Sequence, residues 1–163
     1  MKRPFLKIEL DLIDRIVQVV GIIALIALVG LPIYYFDQLP DEIPSHYGAN
    51  GKADDYRGKG IIWTLPILGL VMYAGLHWLN KYPHIFNYPV KVTEDNVYRL
   101  YKMATRITRF INAQIAIAFA YIVYSTIHTA LNNQDGLSPY FLVIFLLSNF
   151  ALVFFLFFKT SKK

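Results

Sequence analysis

A chain of 163 residues has the length of one compact domain, yet 56% of it is hydrophobic and only 17% charged, and its mean hydropathy is +0.41. That balance excludes an ordinary water-soluble domain. The absence of cysteine excludes disulfide staples, thiolate nucleophiles and thiolate metal ligands. The net charge of +5 comes from cations gathered near the ends of apolar runs, the pattern of a membrane protein rather than of a nucleic-acid binder.

The first apolar run, Ile16 to Phe36, holds 21 residues, enough to cross a hydrocarbon core of roughly 30 Å. It is too long for the apolar part of a signal peptide and has no small-residue cleavage site before Asp37, so it is expected to remain as an anchor. Further spans are predicted over about 61–79, 107–127 and 140–158. The expected fold is an all-α membrane protein, a bundle of four transmembrane helices forming a single domain over 1–163.

Orientation follows from Lys and Arg. The N-terminal arm carries Lys2, Arg3, Lys7 and Arg15; the second connection carries Lys81, Lys91, Arg99, Lys102, Arg106 and Arg109; the tail carries Lys159, Lys162 and Lys163. These are 13 of the 16 cations, against Lys52, Arg57 and Lys59 in the first connection and none in the third. Both termini are therefore expected on the cytoplasmic side, with the 37–60 connection outside.

That connection is long for a helix-to-helix link, and Pro40, Pro44 and the Asn50-Gly51 turn signal make it an ordered cap. Ile43, Tyr47 and Tyr56 are expected to cover the mouth of the bundle. Asp41, Glu42, His46, Tyr47, Asp54, Tyr56 and Lys59 are the candidate residues for a ligand or partner. His46 and Asp54, with His128 approaching from the third connection, have the chemistry of metal ligands, and Asp41, Glu42, Asp55 and Asp135 lie near them in sequence. Their spacing matches no standard metal motif, so no cofactor is expected. Ser45 beside His46 is not a catalytic dyad, since neighbouring side chains seldom face each other, and no phosphate-cradling glycine loop is present.

Within the spans no Asp, Glu, Lys or Arg stands mid-membrane, which disfavours an ion pump. Gln18, His77, Asn112, Gln114, Ser148 and Asn149 read as interhelical hydrogen-bonding groups. Gly69 and Gly75 read as close-packing positions, and Pro66 as a kink or first-turn proline. Tyr34, Tyr35, Trp63, Trp78, Tyr82, Tyr124 and Tyr140 form an aromatic belt.

Between the second and third spans, Pro83 and Pro89 disfavour helix. Thr93 is then placed to cap a helix with Glu94 and Asp95 in its first turn. This amphipathic helix, about 94–106, continues into the third span. Val97, Leu100, Tyr101, Ala104 and Ile107 share one face. Arg99, Lys102, Arg106 and Arg109 share the other and are expected to meet anionic lipid of the inner leaflet.

Two stretches carry a resemblance. "LPDEIPSHYGANGKADDYRGK", with Leu39, Pro40, Ile43, Pro44, His46, Tyr47, Gly51, Asp54 and Lys59 at the matching places, resembles the signature of a membrane module of unknown function. That module forms the N-terminal part of the Sdp-toxin immunity proteins of Gram-positive bacteria. "FNYPVKVTEDN", Phe86 to Asn96, resembles the segment preceding that family's long helix. The resemblance does not extend to the further membrane domain of those proteins. It implies a multi-pass protein of the bacterial cytoplasmic membrane, non-enzymatic and immunity- or receptor-like, binding a peptide, a toxin or a membrane-protein partner. Two other readings stay open: an accessory subunit of a larger membrane complex, and a metal-dependent membrane enzyme using the His46 cluster.

Overall fold

The computed structural model describes residues 3–161. The chain is mostly helical, with a β-hairpin between the first two long helices. Helix α1 (Leu12–Tyr35) leads through a short 3-10 turn into strands β1 (Glu42–Tyr47) and β2 (Ala53–Gly58). A second 3-10 turn enters α2 (Thr64–Leu79), and an irregular connection leads to α3 (Val97–Ala130) and then α4 (Phe141–Ser161). Among the described residues three helical stretches are long and apolar enough to cross a membrane, Leu12–Gln38, Lys59–Leu79 and Val97–Ala130, and α4 adds the apolar segment Phe141–Ala151.

Helix α1 shows why a bilayer is its solvent. Ile13, Ile16, Val19, Ile23, Ile26 and Ile33 are exposed on its outside, while Gly21, Ala24 and Leu28 are buried on its inside. A helix apolar on both faces has no use for water. Because the driving force between such helices is packing and hydrogen bonding, small residues line the contacts. Ala113, Ala116 and Ala120 of α3 are buried. A Cβ built on Gly21 would lie 3.1 Å from the Tyr73 ring and 3.4 Å from the Ala113 backbone, and one on Gly69 would lie 2.5 Å from Leu28. Gly75, expected to be a close-packing position, faces open space; the neighbouring helix does not reach it.

α1 and α3 run parallel, with α2 and α4 antiparallel to them. Asn112 donates to the Tyr73 carbonyl at 3.2 Å, the Tyr73 hydroxyl donates to the Gln18 carbonyl at 3.4 Å, and Gln114 donates to Ser148 Oγ at 2.9 Å. Asn112, Gln114 and Ser148 thus join helices pairwise, while Gln18 meets Tyr73 only through its backbone carbonyl and the Gln18 and His77 side chains line one cavity. Asn149 bonds back to Phe145 of its own helix.

Several boundaries differ from expectation. α1 starts at Leu12 rather than 16, because Asp11 caps it: Asp11 Oδ1 accepts from the Asp14 N–H, and Asp14 returns the bond to the Asp11 N–H. α3 starts at Val97 after a turn. Thr93 does not cap it; Asn96 is the boundary residue and turns its side chain back to accept from the Thr93 N–H at 2.8 Å. Pro66 sits in the first turn of α2 and is buried, where its missing N–H costs no helical bond.

The all-α expectation is corrected by the hairpin. β1 and β2 pair antiparallel, Glu42 opposite Gly58 and Tyr47 opposite Ala53, with Ser45 and Asp54 left out of the register as bulges. The turn closes with Gly48 and Gly51, the latter at φ +80°. Ile43 is fully buried and joins Leu28, Leu39, Ile62, Val123 and Ile127 in the core at this end of the bundle. At the opposite end the N-terminal arm runs over the 81–92 connection: Arg3 donates to the Phe86 carbonyl at 2.6 Å, the Tyr101 hydroxyl donates to the Pro4 carbonyl, and Phe5 packs edge-on to Tyr82 and His84.

Candidate functional site

The hairpin end and the arm end each hold a cluster of polar side chains beside a cavity. At the hairpin end the two bulges decide the geometry. With Ser45 unpaired in the ladder, its hydroxyl turns to donate to Asp55 at 2.7 Å. With Asp54 unpaired, its carboxylate reaches His46 Nδ1 at 2.6 Å. The Ser45 hydroxyl and Arg57 hold the Asp55 carboxyl below its usual range. The Tyr47 hydroxyl crosses to α3 and donates to Thr126 at 2.9 Å; burial pushes its pKa up, so it remains a donor well into the alkaline range.

Under the hairpin lies a cleft of about 370 Å³, walled by Pro44 to Tyr47 of β1, by Ile61, Ile62 and Leu65 at the start of α2, and by Ile122, Val123 and Thr126 of α3. The slot is mostly apolar, with the polar side chains of Ser45, His46, Tyr47, Thr64 and Thr126 among its lining. Its far side is closed by Leu137, where the hairpin tip meets the α3–α4 connection. There the Leu137 N–H donates to the Gly51 carbonyl at 2.9 Å, and a Cβ on Gly51 would lie 2.3 Å from the Leu137 oxygen. A Cβ on Gly136, at φ +120°, would likewise lie 2.3 Å from the Gly51 oxygen.

Of the seven residues expected to hold a ligand, His46 and Tyr47 line this cleft, and Asp54 stands behind His46. Asp41 and Glu42 are exposed at the hairpin base, and the Asp41 carbonyl accepts from the Lys59 N–H. Lys59 caps the Leu39 carbonyl and lies over the Phe36 ring, 5.2 Å from its centroid. Tyr56, expected to cover the bundle, is 54% exposed. The candidate metal ligands are not gathered. His128 lies against the rings of Tyr124 and Tyr35, and among the described residues no three His, Asp or Glu side chains form a group able to hold an ion.

At the arm end the basic stripe of α3 meets carboxylates that local sequence did not connect to it. Asp14 is fully buried and accepts from Arg106 Nε at 2.9 Å and from Arg109 at 3.4 Å. Asp11 pairs with Arg106 and, at 3.5 Å, with Lys102. The Asp14 N–H, followed by Arg106 and Lys102, holds the Asp11 carboxyl well below its usual range. Lys102, Arg106 and Arg109 are thus turned toward α1. Their sequence signal was an Asp at each end of the α1 first turn, visible only as a helix cap.

Comparison with known proteins places these features in one context. A family model described as "Domain of unknown function (DUF1648)" matches residues 22–70, from the middle of α1 through the hairpin into α2. An uncharacterized protein of Archaeoglobus fulgidus is 22% identical, with 77% of this chain and 76% of its own length aligned. No solved structure matches. The fold is that of a mostly helical protein with three helical stretches long and apolar enough to cross a membrane and a hairpin between the first two. Over residues 22–70 the chain is similar to that domain of unknown function.

Proposed function

We propose that the chain is a non-enzymatic integral membrane protein of receptor or immunity type, in a bacterial cytoplasmic membrane, with both termini inside and the hairpin outside. Its cleft holds an amphipathic peptide at the membrane surface. The observation that carries this reading is the slot under the hairpin, mostly apolar with a few hydroxyls and an imidazole in its lining. Pockets of that build take a ligand's apolar part and fix its orientation with a few polar groups. A two-stranded hairpin also leaves an unpaired edge on each strand, where an extended peptide can add backbone hydrogen bonds. The resemblance to the N-terminal module of Sdp-toxin immunity proteins and the distribution of Lys and Arg support the choice of ligand and the orientation. Ser45 and His46 bond to two different carboxylates, so they do not form a nucleophile–base relay.

The test uses the full chain in native membranes, with a photo-crosslinking side chain at Ile122 in the cleft wall or at Ile117 on the lipid-facing side of α3. Exposed to the secreted peptide fraction of the host culture, the Ile122 variant should form a small-peptide adduct and the Ile117 variant none. Thr126→Trp, which fills the slot, should abolish the adduct. Equal labelling at both positions, or none at Ile122, refutes the reading.

A further inference from the structure

We infer that the cavity at the arm end is a binding site for a phosphate-bearing anionic group, the headgroup of an anionic lipid. This cavity, about 430 Å³, is enclosed by the N-terminal arm from Phe5 to Leu10, by Gln18 of α1, by His77, Asn80 and Lys81 at the end of α2, and by Arg109 of α3. Lys7, Lys81 and Arg109 bring three positive charges to its wall, and no carboxylate lines it. Among the described residues the side-chain ammonium groups of Lys7 and Lys81 have no hydrogen-bond or ion-pair partner. Arg109 shares Asp14 with the closer Arg106, and the two carboxylates of that cluster face three cations, so one positive charge is left over. The amide nitrogen of Asn80 is fixed on the Thr105 carbonyl at 3.0 Å, while its buried Oδ1 has no partner. That oxygen supplies an acceptor for a hydroxyl or ammonium of the same headgroup.

Position selects the source of the phosphate. The cavity lies where α1 begins and α2 ends, the level at which apolar spans give way to headgroups, with Trp78 and Tyr82 beside it. Phe5, Leu6, Ile8 and Leu10 give it apolar walls that a soluble anion does not need. Of the α3 stripe, Arg109 reaches this cavity, while Lys102 and Arg106 are turned toward Asp11 and Asp14.

The full chain, purified in neutral detergent, is titrated with mixed micelles of phosphatidylglycerol, with mixed micelles of phosphatidylcholine, and with inorganic phosphate, and thermal unfolding is followed by tryptophan fluorescence. Phosphatidylglycerol should raise the midpoint, while the other two leave it in place. The exposed pair Lys7→Gln/Lys81→Gln should weaken phosphatidylglycerol binding about 30-fold, the loss of two cations near an anionic group. Lys52→Gln/Arg57→Gln at the hairpin end, the same change in net charge, should bind as wild type. A midpoint shift by inorganic phosphate that vanishes in the Lys7/Lys81 variant supports the site and assigns it to a soluble phosphate compound. Equal shifts with the two lipids, or equal binding by the two double variants, overturns the inference.

Discussion

Asp14 and Arg106, 92 positions apart, meet at 2.9 Å with the carboxylate fully buried and the guanidinium 22% exposed. The pair fixes the start of α1 against the first third of α3. Removing one partner of a buried pair costs about 3–5 kcal/mol when the other charge is left alone; Arg106 keeps Asp11 as a second partner, so the cost falls at the low end, about 3 kcal/mol. Asp14→Asn should therefore lower the unfolding free energy in detergent by that amount, whereas Glu9→Gln, on the exposed arm, should leave it unchanged.

Asp11 gives the same end of the bundle a pH dependence. Its carboxyl lies below its ordinary value in the folded chain, held there by the Asp14 N–H and then by Arg106 and Lys102. Its stabilising contribution is thus complete above the ordinary carboxylate range and is lost only as pH falls through the depressed folded value. The wild type should keep its arm protected from protease through mild acid. In Asp11→Asn the arm should already be loosened at neutral pH, with little further change on acidification; protection that titrates identically in both proteins would show that Asp11 is not the group responsible.

Tyr47→Phe deletes the bond to Thr126 and should cost about 1 kcal/mol. Because burial raises the Tyr47 pKa, its contribution is complete below the ordinary tyrosine range and lost as pH rises through the higher folded value. Difference curves between wild type and Tyr47→Phe, measured as hairpin proteolysis from pH 8 upward, isolate this group from the other tyrosines. They should converge at strongly alkaline pH.

His46 and Asp54 are 69% and 53% exposed, and surface pairs of this kind contribute about 0–1 kcal/mol. His46→Gln should leave stability nearly unchanged. Elemental analysis giving one zinc per chain, lost in both His46→Gln and Asp54→Asn, would instead make the pair part of a metal site.

Orientation is read most directly from single cysteines in this cysteine-free chain. Ser45→Cys and Asn133→Cys should react with an impermeant thiol reagent on intact cells, and Ser161→Cys only after permeabilisation. The reverse pattern would invert the topology.

The three long apolar helices were legible because the thickness of a bilayer sets the length of such runs. The first four residues of α1 were not, since Asp14 and Arg15 look like the polar flank of a span until the cations of α3 are brought beside them. The order of the 37–60 connection could be read from its prolines and the Asn50-Gly51 turn, but its strands could not. Bulges at Ser45 and Asp54 break the alternation that marks a strand. Tyr47 and Tyr56 look equivalent in sequence; the first bonds α3 and the second is exposed. Gly69 and Gly75 are likewise indistinguishable until Leu28 is found 2.5 Å from the place where a Cβ of Gly69 would stand.

The backbone contact between Gly51 and the Gly136–Leu137 pair links two surface turns that would otherwise be free to vary. Neither turn has room for a methyl group, and each supplies the surface against which the other is shaped. A residue inserted into one would need a matching adjustment in the other, so the two turns should change length together or not at all among proteins that keep this cap.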